Sequence, residues 1–555
     1  MRKAGYSRLG WWMAGIDQRH PRPTRGGASG FVNSNDRQRN RFVSQRTLVT
    51  NANLLTMTKS TSIAGLSMVL IEDGRIAAIG PDLGISNVPV IDAQGGIVMP
   101  GMIDTHRHVW QSLLRAQLGD GTLYDYMAKL RYGFAPHVSA EDAELGNYAG
   151  ALDALNSGVT TVVDHAHVVA TPDHADGLLS GLESAGIRAV FCYGLADVCD
   201  VGKPIESRRP FTTTWRHKDA ERFRASRLSS TKGMIRFGLG ASEFLFAPLH
   251  YTEAEVRLAR HLDAHRYSIH VANGPFARGT RYVSRLLAKG LVDEHTLFVH
   301  GNVLTRNDLS RIAALGATLS VTPESEMQMG MGTPAWPLAS EMGVACGLGA
   351  DIVSGGSGDL FTQMRQALVA GRLAANDTLG ARRIMPEHLS LTAEDALRAV
   401  TIEGARVAGL DSEVGSIEIG KKADLIFVRT NSPHMAPMLD PVKAVVLQAS
   451  VADVETVMVE GRVLKSNGRL LAKNQPELTL RMQRTAERIV SSVTEQALQD
   501  AYAYVRTAFP LDAASAWAAR FAGWALQVPG LDKFVFNTML KQSDAARNSA
   551  RGKKG

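Results

Sequence analysis

The sequence predicts an α/β protein: a (β/α)8 TIM barrel, a small composite β-sandwich formed from both flanks of the barrel, and a C-terminal helical appendage. Three observations lead there. Through the middle of the chain, eight short β-branched or apolar runs alternate with segments of helical spacing. Strands alternating with helices imply a parallel sheet, and eight such units can close on themselves. β-rich pieces with tight turns recur on both sides of that middle, and an Ala- and Leu-rich section of helical spacing follows from Pro476.

Residues 1–46 hold nine Arg and Lys3 against Asp17 and Asp36, and are rich in Gly, Asn and Pro. They are expected to be a disordered basic extension. No apolar core of about 7–15 residues marks a secretory signal; an organelle transit peptide, an unstructured extension and a start codon placed too far upstream are the readings left open. Residues 47–98 and 412–470 are expected to form the sandwich. Its strands are Leu48–Met57, Ser67–Ile71 and Arg75–Ile79 on one side, then Asp424–Val428, Val442–Leu447 and Val454–Val459 on the other. Asp73-Gly74 and Glu460-Gly461 supply turns.

The barrel is expected over residues 99–411. Its strands are Ile97–His108 (which begins in the flank), Val159–Asp164, Arg188–Gly194, Met234–Gly240, Tyr267–Ala272, Thr296–His300, Ala317–Thr322 and Val344–Asp351. Helices are expected at Ala140–Asn156, Glu253–His265, Thr305–Leu315 and Gly358–Ala375. Residues 476–540 are read as the helical segment and 541–555 as a disordered basic tail.

Composition narrows the function classes. With 45% hydrophobic and 21% charged residues, the chain reads as a soluble globular protein. No apolar stretch approaches the ~20 residues that span a bilayer, so no membrane is expected. The net charge of +7 belongs to the first 46 residues; the remainder carries 51 basic against 52 acidic side chains. No basic stripe alternates with aromatics, which disfavours nucleic acid as a partner, and none is expected. Cys192, Cys199 and Cys346 form no C-x-x-C pair, which suits a reducing, cytoplasmic compartment. The partners expected are a small-molecule substrate and further copies of the chain in a homo-oligomer.

The chemistry starts at Asp104-Thr-His106-Arg-His108. Side chains two apart on a strand point the same way, so His106 and His108 present two imidazoles on one face. Two neutral imidazoles make half of a divalent metal site; an unrelated pair at a polar strand end is the alternative. Three later strands also end in a potential ligand: His270, His300 and Asp351. Barrel enzymes place their chemistry at these strand ends, and the joint placement points to a metal with N/O ligands. Gly347-Leu-Gly349 is followed by Ile352 where a dinucleotide fingerprint needs Gly, and the chain has neither a Walker A loop nor a nucleophile elbow.

The chain resembles the amidohydrolase superfamily, in its cytosine-deaminase-like and triazine-hydrolase-like branch. The likeness is carried by Val98-Met-Pro-Gly-Met-Ile-Asp-Thr-His-Arg-His108, Gly158-Val-Thr-Thr-Val-Val-Asp-His165, His270, His300, Asp351 and Gly415-Ser-Ile-Glu-Ile-Gly-Lys-Lys-Ala-Asp-Leu425, and covers Thr47 to Leu470. It implies that His106, His108, His270 and Asp351 bind one divalent metal ion, zinc foremost, with Fe2+, Co2+ or Mn2+ as alternatives. It implies that His300 hydrogen-bonds the hydrolytic water or the substrate, making Asp351 and His300 the catalytic pair. A bound divalent cation lowers the pKa of water from about 15.7 to about 7, and Asp351 can carry the released proton to the leaving group. The function implied is hydrolysis of a non-peptide C–N bond in a small molecule, of deaminase, amide, carbamate or cyclic amidine type. Displacement of a non-nitrogen leaving group from a heterocycle and a non-catalytic scaffold are the alternatives.

Several positions depart from the family pattern. Asn273 stands where the deaminases carry a proton-shuttling glutamate, and an amide cannot transfer a proton at neutral pH. Glu243 stands near the usual fourth-strand histidine, and Thr322-Pro-Glu-Ser-Glu-Met-Gln-Met-Gly330 replaces a Ser-Asn pair. Asn273, Glu243 and Glu324 are therefore the substrate-binding candidates. Glu243, Glu324 and Glu326 either supply the missing proton or bind a cationic substrate, or are loop carboxylates. Asp104 is either a partner of an imidazole or a turn residue. His165 and His167 are read as lying behind the ligands or on the substrate side, and Met327–Met331 with Trp336 as pocket lining or plain packing.

Overall fold

The computed structural model describes residues 46–541 apart from 59–61, 197, 199–213, 243–248 and ten single positions between 508 and 540. The expectations for residues 1–45 and 542–555, and for Cys199 and Glu243, lie outside the described residues.

The first flank folds as β1 (Arg46–Leu55), β2 (Ser62–Glu72), β3 (Arg75–Gly80), β4 (Val90–Asp92) and β5 (Ile97–Pro100). The barrel follows with β6 (Met102–Arg107), β7 (Val159–Ala166), β8 (Arg188–Gly194), β9 (Ile235–Gly240), β10 (Tyr267–Val271), β11 (Thr296–His300), β12 (Thr318–Val321) and β13 (Cys346–Leu348). The second flank adds β14 (Leu425–Val428), β15 (Val454–Val459), β16 (Arg462–Ser466) and β17 (Arg469–Leu470).

β6 to β13 form one parallel sheet in sequence order, with helices in the crossovers. Nearly every residue of these strands is buried, as a sheet covered on both faces requires. The barrel closes between its first and last strands: His108 N–H donates to the Asp351 carbonyl and Asp351 N–H to the His106 carbonyl, both at 2.9 Å. Gly347 and Gly349 make this seam. A Cβ at Gly349 would lie 2.6 Å from the His106 carbonyl oxygen, and one at Gly347 2.4 Å from Thr105 Cγ2.

The two flanks join in a nine-stranded sheet of order β17-β16-β15-β14-β5-β1-β2-β3, with β4 beside β1. β5 links them, parallel to β1 and antiparallel to β14. The sheet curls until its hairpins meet. The turns Asp73-Gly74 and Glu460-Gly461 both have positive φ at both residues, the geometry that matches strand twist, and a Cβ on Gly461 would lie 2.8 Å from Gly74 Cα. Val49, Val69, Ile71, Val98, Leu425 and Phe427 fill the enclosed core.

The helix expected at Glu253–His265 runs Leu249–His261, and two expected elements differ in kind. The run Ile97–His108, expected as one strand, is two strands in different sheets, divided at Gly101, whose N–H donates to the Asp424 carbonyl at 2.9 Å. Val442–Leu447, expected as a strand, is the helix Pro441–Leu447; Asp440 caps it by accepting from Lys443 N–H at 3.0 Å, and Pro441 occupies the first turn. That cap and the proline's fixed φ outweigh the β propensity of three valines.

The N-terminal ends of the barrel strands are pinned by arginines. Arg188, which opens β8, makes a two-pronged buried ion pair with Asp424 (2.7 and 3.0 Å). Arg236 on β9 pairs with Glu413. Arg266, just before β10, donates to the carbonyls of Val407 (2.8 Å) and Arg406 (3.0 Å) at the end of the helix Ile402–Ala408, where the helix dipole favours a cation.

The C-terminal section holds the helices Gln475–Ser491, Glu495–Arg506 and Ala513–Ala525. Arg488 pairs with Asp142 on the barrel helix Ala140–Asn156, and Tyr502 Oη donates to Asp125 at 3.0 Å. Phe509 packs on Phe276, just beyond β10 (ring centroids 5.1 Å apart). Among the described residues, no helix is long and apolar enough to cross a membrane, and Cys192 and Cys346 are free, buried thiols.

Candidate metal centre

Three barrel strands deliver the four expected ligands to one point. His106 lies on β6 and His108 directly after it, His270 on β10, and Asp351 three residues beyond β13. One ligand atom from each lies within 4.8 Å of the others. His270 Nε2 is 3.0 Å from His106 Nε2, and Asp351 Oδ1 is 3.4 Å from His106 Nε2 and 3.5 Å from His108 Nε2. His106 and His108 are buried and His270 is half-buried.

The protonation of His108 suits a cation. Its Nδ1–H donates to the His165 carbonyl at 2.8 Å, which leaves the Nε2 lone pair facing the other donors. Burial, with His106 close by, holds its pKa well below the usual 6.5, so the ring is neutral. Three imidazole nitrogens and a carboxylate oxygen form the donor set that borderline divalent ions such as zinc accept. The backbone around them is strained: Ala272, His300 and Asp351 have φ of 51°, 72° and 58°, left-handed values that non-glycine residues rarely adopt.

The surroundings settle the open residues. Asp104 holds backbone and an arginine: Oδ1 accepts from the backbone N–H groups of Ala350 (3.1 Å) and His106 (3.3 Å), and Oδ2 from Arg107 (3.3 Å). It braces the barrel seam, and burial raises its pKa to about 6. His165 lies behind the ligands, its carbonyl on His108 and its Nδ1 3.0 Å from Ser268 Oγ. His167 stacks on His108, with centroids 3.8 Å apart and planes 10° from parallel. Its Nδ1 accepts from the Trp110 indole at 3.0 Å, so Nε2 carries the hydrogen and faces Tyr126 Oη at 2.8 Å. Burial keeps this ring neutral too, so it presents no second positive charge to the site.

His300, at the end of β11, packs beside the cluster, 5.2 Å from His270 and 5.8 Å from His106 between ring centroids. Its Nδ1 lies 3.1 Å from Thr322 Oγ1 and 3.3 Å from Glu326 Oε1. Glu326 is fully buried, and also accepts from Thr322 N–H (2.7 Å) and Asn302 Nδ2 (3.0 Å). Asn273 follows β10 and is half-buried; its Oδ1 is buried with no hydrogen-bond partner among the described residues. Glu324 is engaged elsewhere, its Oε2 accepting from Ser357 N–H (2.9 Å), Ser357 Oγ (2.8 Å) and Gln363 Nε2 (2.9 Å). Met329, Met331 and Trp336 are buried. Trp110 and Tyr126 carry no motif that singles them out in the sequence, whereas Glu326 is one of the three candidate carboxylates there.

Comparison with known proteins identifies the family. The model of the amidohydrolase family matches residues 97–464. The chain is 28% identical over 462 residues to a 5'-deoxyadenosine deaminase of Methanosarcina mazei, covering 80% of this chain and 99% of the relative. It is 27% identical over 436 residues to a 5-methylthioadenosine/S-adenosylhomocysteine deaminase of Desulforudis audaxviator, covering 77% and 95%. Among solved structures, an adenosine deaminase from Xanthomonas campestris with bound zinc superposes with a TM-score of 0.68 at 20% identity, over 80% of this chain and 98% of that one. The atrazine chlorohydrolase of Arthrobacter aurescens TC1 complexed with zinc superposes with a TM-score of 0.68 at 21% identity, over 79% and 100%. At that identity these two structures speak for the fold, while the family match spans most of the chain. The chain belongs to the amidohydrolase family and is a metal-dependent hydrolase of carbon–nitrogen bonds other than peptide bonds.

Proposed function

We propose that His106, His108, His270 and Asp351 hold a single zinc ion and that the site removes an exocyclic amino group from a small nitrogen heterocycle by hydrolysis. The observation that carries this reading is the convergence of four donor atoms within 4.8 Å from three barrel strands. The deaminase names of the relatives at 27–28% identity support the choice of an aminated ring. A bound divalent ion would supply Lewis acidity and make water acidic enough to ionise near neutral pH.

The chain's own residues supply the proton traffic. Asp351 takes a proton from the attacking water and delivers it to the departing ammonia. His300 hydrogen-bonds that water and orients it. Asn273 offers the buried Oδ1 as acceptor for a substrate N–H. Glu324, with its three hydrogen bonds to Ser357 and Gln363, is better accounted for as a brace of the loop beyond β13. Glu243 stays a candidate from the sequence for substrate contact or proton supply.

The test is bound-metal analysis of the purified protein together with ammonia release from a panel of aminated purines and pyrimidines. One equivalent of metal per chain, lost with the activity in His106→Ala, is expected. Substoichiometric metal unchanged in His106→Ala would sink the proposal. Halide or alcohol released without ammonia would overturn the deamination.

A further inference from the structure

We infer that Glu326 is a positioning residue: it fixes the tautomer and the ring orientation of His300, so that Nδ1 carries the hydrogen and Nε2 is the acceptor at the site. The inference rests on the catalytic role proposed above for His300.

His300 Nδ1 faces two oxygens, Thr322 Oγ1 at 3.1 Å and Glu326 Oε1 at 3.3 Å. A ring lone pair in that position would oppose the lone pairs of the carboxylate, whereas an N–H satisfies them. The carboxylate cannot turn away. Oε1 is held by Thr322 N–H at 2.7 Å and Oε2 by Asn302 Nδ2 at 3.0 Å. Its side chain is fully buried, and the His300 side chain is 4% exposed. The helix Pro323–Gln328 starts immediately after β12, so one strand end and one helical turn present Thr322, Glu326 and their hydrogen bonds as a unit.

The backbone of His300 adds a second reason for such a brace. At φ 72° the residue sits in a conformation that costs a non-glycine energy, so its side chain needs fixed partners to hold one direction. With Nδ1–H committed to Glu326, Nε2 is left to accept a hydrogen. That suits a ring that takes a hydrogen bond from the attacking water, and disfavours one that donates to an oxyanion. A glutamate bonded to Nδ1 also makes the imidazole a stronger acceptor, as partners behind catalytic and metal-bound histidines do.

The experiment combines kinetics with histidine ring 15N spectroscopy on the full-length metal-loaded enzyme. The His300 signals are identified by their loss in His300→Ala. The wild-type spectrum is expected to show the Nδ1–H tautomer at His300, and an Nε2–H tautomer there would overturn the inference with no variant needed. In Glu326→Gln the amide can present N–H to Nδ1, so the tautomer should reverse. kcat should then fall about 10- to 100-fold with KM within about twofold and metal content unchanged. Glu326→Asp should restore part of the loss.

A double-mutant cycle separates positioning from general support of the fold. Glu326→Gln should cost nothing further in a His300→Ala background, while an equal loss in both backgrounds would overturn the inference. A wild type that binds metal yet turns over no substrate, with the Nδ1–H tautomer present, would count against the proposed function and leave Glu326 as the brace of His300.

Discussion

The two ends of the barrel strands meet opposite demands. At the C-terminal ends, His106, His108, His270 and Asp351 bring ligand atoms to within 3.0–3.5 Å of one another, an arrangement that a cation would stabilise. At the N-terminal ends, Arg188, Arg236 and Arg266 meet carboxylates or the carbonyls that end a helix. Strain is sited accordingly. His300 and Asp351, with left-handed backbones, lie at the upper face, and the ion pair that absorbs charge at the lower face holds β8 against the curled sheet. One set of strands thus carries a face that stores unfavourable contacts and a face that offsets them.

The comparison can be broken at either end. Asp351→Asn keeps the backbone bonds of the seam but removes the proton carrier and an anionic donor; turnover should fall on the order of 10³-fold, with the melting temperature of the metal-free protein nearly unchanged. Steady-state kinetics and calorimetry check both halves. Arg188→Met should do the reverse. It leaves Asp424, 1% exposed at its side chain, with the Glu460 N–H as its remaining donor. A loss of about 3–5 kcal/mol in urea unfolding is expected, with kcat per folded molecule unaltered.

Gly349→Ala sharpens the comparison, because the seam belongs to both functions. The new Cβ would collide with the backbone of His106 (2.6 Å to O and 2.8 Å to N). About 1–3 kcal/mol of stability should be lost to overpacking, together with metal affinity, read by titrating zinc into the metal-free protein. The smallest effect is expected at His265, beside Arg266, whose Nε2–H donates to the Ala408 carbonyl at 3.1 Å. Burial, then the charges of Arg266 and Arg236, lowers its pKa from 6.5 to about 4. Between those values the unfolded chain binds a proton that the folded chain refuses, so stability is lost as pH falls through that window. His265→Gln should lose about 1–2 kcal/mol less than the wild type between pH 7.5 and pH 5, measured by urea midpoints.

Much of this architecture was legible because the barrel repeats one signal. Each expected ligand lies at or just beyond the end of a β-branched run, where strand parity and the C-terminal-end rule converge on His106, His108, His270 and Asp351. The run Ile97–His108 misled because Pro100-Gly101 sits inside unbroken apolar sequence; one residue of backbone redirection moves the chain between two sheets without a polar interruption. Val442–Leu447 misled because the Asp440-Pro441 helix start is weaker in appearance than three valines. Glu326 and Glu324 differ by two positions on one short helix, and nothing in their residue type tells which reaches His300. Helix rotation decided that, and it is a tertiary property. The same holds for His167, whose ring nitrogens are met by Trp110 and Tyr126 arriving from the segments after β6.

The glycine seam also orders events in time. His106 and Asp351 are about 245 residues apart in sequence, and the hydrogen bonds that unite them are the ones that shut the barrel. Such distant pairings form late. A growing chain that has completed five barrel units already owns three imidazoles but no carboxylate, and its first strand still has an open edge. Under the proposed ligand set, cation capture at full strength would wait for the eighth strand, and a bound ion would then latch finished molecules only.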